Sequence, residues 1–583
     1  MAGSAAFTVA TDSSGLNSAD AVKTYVDANI QITPNGVNRV GDSHIFTAHV
    51  NVNAGNGAGF VDAPNGTSIS FTIDSGPGAF QTATPCSTTG GTGSCQITLS
   101  SSVTGVTTVS AHSTLTVGGI SLTRHTNGSG ANSGPATKRW VNAKIAIAPN
   151  ATNEVGQPHT FTVTLMKDTG DGNGFVAAGG EHVNSTLTDS NGASSTLNAA
   201  SSTCDDAGAN TDASGQCLIV INSNTAGKVT AHASSALSVA GSAAFTVATD
   251  SSGLNSADAV KTYVDAKISI TPSGVNPLGA THTFTGHVEI NAGNGSWVNA
   301  PNGTSISFTI DSGPGAFQTA NPCTTSGGSG SCTVDLKSLV AGTTIVSAHS
   351  TLSVGGISLT RHTNGSGANS APATKQWVAA QIAIAPNATN EVGQPHTFTV
   401  TLQKDPGSGY VAASGEHVSF TLTDSDGASS TLDVGASTCD NAGANTDVNG
   451  QCLVVINSNT AGKVTAHASS TLSVAGSALI TVETDGVAPN SGNAVKTWVD
   501  ANIQITPATA TNPLNTTHTL TGHVNVNDGS GFVNAPNGTV IGFSLVSGPG
   551  SFDGANNCTV TNGSGSCSVK IKSGTTGTTT VRA

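Results

Sequence analysis

Apolar and polar residues alternate through much of the chain, in short runs separated by glycine, asparagine and proline. The run at residues 44–53, HIFTAHVNVN, and the run at residues 68–73, SISFTI, both show this period of two. Such alternation predicts half-buried β-strands, and turn residues about every ten positions predict that the strands are short. The sequence has no long segment with a period of 3.6 residues, which argues against α/β folds. We therefore expect an all-β protein.

One stretch recurs five times and organises the chain. Its first copy, residues 21–34, reads AVKTYVDANIQITP, and later copies lie at residues 137–149, 259–272, 374–386 and 494–507. Each copy carries an aromatic residue two positions after a lysine: Tyr25, Trp140, Tyr263, Trp377 and Trp498. The alternating second half predicts a first strand, and a serine followed by Asp or Pro before the stretch predicts a short helical turn at its start. We interpret the first half as an interdomain joint whose aromatic side chain packs between neighbouring domains.

These joints divide the 583 residues into repeats of a common domain size. The expected boundaries are residues 1–28 for the last strand and joint of a preceding repeat, 29–143 for type A, 144–266 for type B, 267–380 for type A, 381–501 for type B, and 502–583 for a truncated type A. Residues 2–28 are identical to residues 240–266, and AFTVATD within them is expected to be a last strand. About seven short strands per repeat predict immunoglobulin-like β-sandwich domains in an elongated array.

Each repeat contains one pair of cysteines that lie close together in the sequence. The pairs are Cys86 with Cys95, Cys204 with Cys217, Cys323 with Cys332, Cys439 with Cys452, and Cys558 with Cys567. A zinc site would need four ligands and cysteines two to four residues apart, so the spacing favours five disulfides. Disulfides in turn indicate an oxidising, extracellular compartment.

Charge and hydropathy limit the classes of partner. Only 9% of residues are charged, the net charge is −14, and lysine and arginine form no runs, so nucleic acid is not an expected partner. No apolar stretch approaches the length of a membrane-spanning helix, and Met1 begins no secretion signal, so we expect any targeting or anchoring element to lie outside this segment.

No residue pattern predicts catalysis. The sequence has no nucleophile elbow, no phosphate-binding loop and no pair of carboxylates in a repeated pocket, so we expect neither an enzyme nor a cofactor. Histidines recur at fixed places in every repeat, which indicates a structural role. Calcium is a weak alternative to a simple turn in the type B cysteine loops, where the candidate ligands are Asp205, Asp206, Asp212, Asp440 and Asp447.

The chain resembles the tandem immunoglobulin-like repeats of large bacterial cell-surface proteins, the stalks of adhesins and pilin-like proteins. The motifs that carry the resemblance are NEVGQPHTFTVTL at residues 153–165, NAPNGTSISFTIDSGPGAF at residues 299–317, and ATK-x-WV at the joints. The resemblance implies export and a stalk of stacked sandwiches. Some relatives form lysine–asparagine isopeptide bonds, for which Lys167 and Lys404, with Glu181 and Glu416 nearby in sequence, are the recurring candidates.

We expect a non-enzymatic stalk or fibre segment of a secreted or surface-displayed protein, in which each repeat has its neighbouring repeats as partners. One alternative is a multivalent adhesive module that binds a glycan or a host protein through repeated loops. A second alternative is a head-to-tail filament, in which the strand near Phe7 of one copy completes the open fifth repeat of the next.

Overall fold

The computed structural model describes residue 3 and residues 5–583. Within these residues the regular structure consists entirely of β-strands, so the predicted all-β class is confirmed. The chain forms two compact units, one with the residues up to 266, residues 289–298 and residues 352–359, and the other with the remainder. The helical turn predicted at the start of each recurring stretch is wrong, because those residues either pair in a strand ladder or, at residues 21–26, have no regular structure.

The first sandwich consists of two facing sheets. Its strands are β1 (Asp27–Thr33), β2 (Gly36–Arg39), β3 (Ser43–Asn53), β4 (Val61–Asp62), β5 (Ser68–Ser75), β6 (Ala79–Phe80), β7 (Cys86–Ser87), β8 (Ser94–Ser100), β9 (Gly105–Val117), β10 (Ile120–His125) and the first part of β11 (Ala136–Ala148). One sheet has the order β1–β3–β8–β6, with β4 on β3; the other runs β7–β5–β9–β11, with β10 on β9 and β2 on β11. Phe46 and Ile97 from the first sheet meet Phe71 and Val109 from the second in the core.

The second sandwich follows in the same compact unit. It uses the second part of β11, then β12 (Ala151–Glu154), β13 (His159–Asp168), β14 (Val176–Ala177), β15 (Asn184–Ser190), β16 (Ser195–Leu197), β17 (Gln216–Ser223), β18 (Gly227–Leu237), β19 (Phe245–Ala248) and the first part of β20 (Ala259–Thr271). One sheet contains β11–β13–β17–β16, with β14 on β13, and the other contains β15–β18–β20, with β19 on β18 and β12 on β20. Phe161, Ile219, Val229 and Ala231 lie in its core.

The remaining strands repeat these two patterns. Those of the third sandwich after β20 are β21 (Gly274–Pro277), β22 (His282–Asn291), β23 (Val298–Asn299), β24 (Ser305–Ser312), β25 (Ala316–Phe317), β26 (Cys323–Thr324), β27 (Ser331–Lys337), β28 (Gly342–Val354), β29 (Ile357–His362) and β30 (Ala373–Ala385). The fourth continues with β31 (Ala388–Glu391), β32 (His396–Asp405), β33 (Val411–Ala412), β34 (Val418–Ser425), β35 (Ser430–Leu432), β36 (Gln451–Ser458), β37 (Gly462–Leu472), β38 (Ile480–Glu483) and β39 (Ala494–Thr506).

The fifth sandwich has a smaller core. Its further strands are β40 (His518–Asn527), β41 (Phe532–Asn534), β42 (Val540–Gly542), β43 (Ser544–Ser547), β44 (Ser551–Phe552), β45 (Asn557–Thr559), β46 (Ser566–Lys572) and β47 (Thr580–Arg582). Leu520, Ile541, Phe543, Val560 and Val569 form its buried cluster.

The expectation that AFTVATD forms the last strand of its repeat is wrong. At residues 244–250 this segment contains β19, which pairs with β18, and the later strand β20 then pairs with β18 as well. The last strand of the second sandwich is therefore the first half of β20. The identical segment near Phe7 forms no strand, and residues 5–26 contain no regular structure.

Candidate functional site: the strand shared by adjacent sandwiches

A single uninterrupted strand ends one sandwich and begins the next. Residues 136–140 of β11 pair antiparallel with β9 of the first sandwich, and residues 142–148 pair antiparallel with β13 of the second. In the second compact unit, β30 links β28 to β32 and β39 links β37 to β40 in the same way. Each of these strands has 13 residues, and neither glycine nor proline interrupts its ladder.

The crossing between cores occurs at an aromatic–valine pair. Trp140 and Val141 are both fully buried, although neighbouring residues of a strand point to opposite faces. Trp140 belongs to the core of the first sandwich and Val141 to the core of the second. Two consecutive buried residues therefore mark the position where the strand passes from one core to the other.

The aromatic residues of the five joints differ in how deeply they are buried, and the sequence pattern does not reveal this difference. Trp140, Trp377 and Trp498 are fully buried, and the core clusters place Trp498 in the fourth sandwich and Tyr263 in the second. The Trp377 indole N–H donates to Thr344 Oγ1 at 3.0 Å within the third sandwich. Tyr25, in contrast, is 80% exposed. The buried aromatic rings contribute to the sandwich that precedes the joint.

A parallel strand pair braces the first half of each complete shared strand. In the first sandwich β2 pairs parallel with β11, joining Gly36 to Lys138 and Arg39 to Val141. The pairs β12–β20, β21–β30 and β31–β39 repeat this arrangement. A strand near the start of each of these sandwiches is therefore hydrogen bonded, in the same direction, to the strand with which that sandwich ends.

A buried lysine lies beside each buried aromatic. Lys138, Lys261, Lys375 and Lys496 are all fully buried, and each Nζ atom lies 5.2–5.5 Å from the centroid of its aromatic ring. Lys138 Nζ donates to Asn38 Oδ1 at 2.5 Å. Burial lowers the pKa of each of these lysines to about 8. In the first and third sandwiches the cation–π contact and an asparagine amide oxygen partly replace the lost hydration. Lys261 Nζ has no hydrogen-bond partner among the described residues.

Histidines complete this cluster in the four sandwiches that have a parallel pair. His44 Nε2 is 3.0 Å from Pro34 O, and its ring packs edge-on against Phe46. The corresponding His159, His282 and His396 make the same two contacts. Burial lowers the pKa of all four imidazoles. These contacts give these four histidines a structural role.

Loop side chains cap the first strand of each of the first four sandwiches. In the first, Ile30 N–H donates to Asn132 Oδ1 and Ile32 N–H donates to Ser133 Oγ. The later equivalents are Asn255 with Ser256, Asn369 with Ser370, and Asn490 with Ser491. The loops thereby satisfy edge N–H groups that would otherwise be available to another chain.

All five cysteine pairs form disulfides, and the described residues contain no free cysteine. In the first sandwich the bond joins Cys86 of β7 to Cys95 of β8, which belong to opposite sheets. In the second it joins a loop residue, Cys204, to Cys217 of β17, and both sulfurs lie in the core. The type A bonds are more exposed than the type B bonds, whose cysteines are all fully buried.

Two of the acidic residues of the type B loops, Asp212 and Asp447, form turns. Asp212 Oδ1 accepts from the N–H groups of Ser214 and Gln216, and Asp447 makes the equivalent contacts in the fourth sandwich. Asp205 and Asp206 are exposed, and Asp440 is half-buried. No group of three or more His, Cys, Asp or Glu residues is arranged to hold a metal ion in the described part of the chain.

The lysines considered for isopeptide bonds form ion pairs. Lys167 Nζ lies 2.9 Å from Glu181 Oε1, and Lys404 Nζ lies 3.2 Å from Glu416 Oε1. Both pairs are partly buried. The glutamates therefore accept hydrogen bonds from the lysines in the type B sandwiches.

Two sets of residues were missed by the sequence analysis. The first is Phe175 and Tyr410 of the type B sandwiches, which occupy the places that Phe60, Trp297 and Phe532 have in type A. Their shared signal is a Gly- and Asn-rich turn followed by an aromatic and a valine. The second set is His125 and His362, which stack on His112 and His349. Their signal is the repeated ISLTRH segment.

Comparison with known proteins found no matching family model and no matching curated protein. Among solved structures, the chain is similar to FdeC, an Escherichia coli adhesin, at 14% identity and a TM-score of 0.24, covering 61% of this chain and 99% of that one. It is similar to invasin, a bacterial integrin-binding protein, at 16% identity and a TM-score of 0.24, covering 79% and 78%. It is also similar to the S-layer protein SbsC, at 14% identity and a TM-score of 0.19, covering 95% and 64%. With TM-scores below 0.5, these likenesses carry no argument about function.

Proposed function

We propose that the chain is a load-bearing, non-enzymatic spacer of a secreted or surface-displayed bacterial protein. The observation that carries this proposal is the parallel pair in each of the first four sandwiches, such as β2 with β11. Force along the chain pulls these two strands in opposite directions, parallel to their axes. Because ladder hydrogen bonds run across the strands, the bonds share the load and must yield together.

The shared strands support the same proposal. Residues 142–148 of β11 continue directly from the braced segment into the next sandwich, so no flexible linker lies between the two ladders. A Gly-Ser linker would absorb extension before loading either domain. The disulfides limit how far each sandwich extends once it opens, because they close loops with sequence separations of 9 or 13 residues.

Single-molecule pulling on the whole chain tests this proposal. Four high-force openings are expected, each releasing on the order of 100 residues, or roughly 350 Å of chain. Reducing the disulfides should lengthen the type A steps by roughly 30 Å and the type B steps by roughly 45 Å. The fifth sandwich is an internal control, since no parallel pair is described there, and it should open at lower force. Openings of the first four at the force of the fifth would overturn the proposal.

A second candidate function, repeated binding of a glycan, is favoured by the exposed aromatics. Phe60, Trp297, Tyr410 and Phe532 are 37–48% exposed and occupy one equivalent place in four sandwiches. Aromatic faces are common platforms for sugar rings, and repetition along a chain would add avidity. Glycan-array binding that falls on Trp297→Ala and Tyr410→Ala would establish this function. Absence of any glycan signal at high protein concentration would reject it.

Head-to-tail assembly is the third candidate. Ala21, Lys23 and Tyr25 are exposed, although the same residue types form the buried face of β20 at residues 259, 261 and 263. In the fifth sandwich, no strand of the described residues takes the place that β30 has in the third. Size-exclusion chromatography over a concentration series tests donation of residues 21–26 to this place. An apparent size that increases with protein concentration, and no longer does so in Tyr25→Asp, would support this assembly. An apparent size that stays constant would exclude it.

A further inference from the structure

Two histidines face each other across a hairpin in the first sandwich, and two more do so in the third. His112 of β9 lies directly opposite His125 of β10 in the strand register. Their ring centroids are 5.3 Å apart and the rings are nearly parallel, at 23°. His349 and His362 repeat the arrangement at 5.4 Å and 24°. Directly opposite side chains are the closest neighbours that a sheet offers.

The nitrogens of these four imidazoles have no protein partner. Among the described residues, none of the four rings takes part in a hydrogen bond or an ion pair, whereas most other histidines do. For example, His49 Nδ1 contacts Ser94 Oγ at 2.8 Å and His232 Nδ1 contacts Asp258 Oδ1 at 2.8 Å. His125 is exposed and His112 is half-buried on the outer face, so solvent and ions can reach the pair.

The groups around the pair leave it open to a cation. Thr114 and Thr123, next along the same face, hydrogen bond to each other at 2.9 Å. Arg124 points to the other face, where it contacts Asp27. Two positions before His112 on the same face, Ser110 Oγ lies 2.8 Å from Asp74 Oδ1, which places a carboxylate charge nearby. In the third sandwich, Asp311 and Ser347 repeat this contact.

From this geometry we infer that the His112–His125 and His349–His362 pairs each bind one divalent transition-metal ion. Neutral imidazole is the commonest protein ligand for such ions. Two nitrogens from one side leave the remaining positions to water, a nitrogen and oxygen set that suits the tetragonal preference of Cu²⁺ and Ni²⁺. Small rotations of the two rings about their side-chain bonds would bring one nitrogen of each to the same ion. Affinity for Cu²⁺ should exceed that for Ni²⁺ and Zn²⁺, following the general order for N and O ligands.

The type B sandwiches provide a natural contrast. Their strand β18 carries His232 in the matching sequence motif, but β19 has no histidine, and Asp258 and Thr249 surround the imidazole instead. His467 in the fourth sandwich likewise contacts Asn493. A single, already bonded histidine cannot chelate, so we expect two sites per chain.

Titration of the full chain with CuCl₂ at neutral pH tests the inference. Calorimetry should give two equivalent ions, and electron paramagnetic resonance of the bound Cu²⁺ should show coupling to two imidazole nitrogens. His125→Ala should leave one ion, the double variant His125→Ala/His362→Ala should leave none, and the matched control His232→Ala should retain two. His125 and His362 are exposed and His232 is half-buried, so these variants should fold. Circular dichroism checks this.

Two results would overturn the inference. One is Cu²⁺ binding by the double variant that equals binding by the unchanged chain. The other is the absence of saturable Cu²⁺ binding by the unchanged chain.

Discussion

Lys375 Nζ lies 5.3 Å from the centroid of the Trp377 ring, and both side chains are fully buried in the third sandwich. The ammonium group also donates to Asn276 Oδ1 at 2.6 Å. Gln376 lies between them on the opposite face and is half-buried, whereas Val378 on that face is buried in the core of the fourth sandwich. The shared strand thus holds its lysine and its aromatic on one face, toward the core that it completes.

The first prediction concerns pH. Burial lowers the pKa of Lys375 to about 8, whereas an unfolded lysine titrates near 10.4. Between these values the unfolded chain binds more protons at this residue, so the stability of the third sandwich should rise with pH from about 8 to about 10.4. Urea unfolding at a series of pH values, followed by pulsed hydrogen exchange at the amides of β28 and β30, measures this rise. Lys375→Met should flatten it, and an unchanged pH dependence in that variant would contradict the assignment.

The second prediction concerns Trp377. Trp377→Ala removes a fully buried ring and leaves the Thr344 hydroxyl without its indole partner, so the third sandwich should lose about 3–5 kcal/mol of unfolding free energy. The fourth sandwich should lose much less, because the ring lies in the preceding core. The same pulsed hydrogen-exchange experiment measures the unfolding free energies of the third and the fourth sandwich separately. Leu339→Ala, at a side chain that is 75% exposed, is the control and should change stability by no more than about 0.5 kcal/mol. Equal losses in both sandwiches would place the ring between them.

The third prediction concerns reduction of the disulfides. A reductant must reach a sulfur atom, and Cys439 and Cys452 are only 2% and 1% exposed, whereas Cys323 and Cys332 are half-buried. Under native conditions the Cys323–Cys332 bond should therefore be reduced before the Cys439–Cys452 bond. Timed reduction, alkylation and peptide mass spectrometry give the order. In concentrated urea the difference should disappear, and native reduction of the type B bonds first would refute the prediction.

The fourth prediction concerns the capping loops. Asn369 Oδ1 accepts from the N–H of Ile268, a residue that is 1% exposed. Asn369→Ala leaves that donor unsatisfied, at a cost of about 1–3 kcal/mol. Hydrogen exchange at residues 267–271 should accelerate accordingly. Asn364→Ala, which removes only an exposed turn contact to Ser366, should leave exchange there unchanged. Equal acceleration by both variants would show that the loop as a whole, rather than this bond, protects the strand.

Much of the fold could be predicted from the sequence, because its signals are local. Alternation along residues 44–53 follows from the strand pleat, which needs only the chain itself. The two cysteines of each disulfide are 9 or 13 residues apart, so the pairs could be recognised from their spacing in the sequence. The joint was harder to interpret. An aromatic residue next to a valine breaks the alternation there. The prediction of a helical turn did not take into account that a strand shared by two cores buries consecutive residues.

The candidate metal sites lay beyond the sequence for a related reason. His112 and His125 are 13 positions apart, and only the turn between β9 and β10 and its register place them face to face. A shift of one residue in that register would turn one of them to the other face. Spacing along the chain does not determine such a contact.

Two segments of identical sequence differ in structure because their surroundings differ. Val9 and Tyr25 are 70% and 80% exposed, whereas their copies Val247 and Tyr263 are 1% and 0% exposed. The alternation, the positions of the turns and the pairs of nearby cysteines are all properties of the sequence alone. Whether residues 243–263 or their copy form strands depends on the presence of β18, since an extended segment gains its hydrogen bonds and its buried face only from a partner.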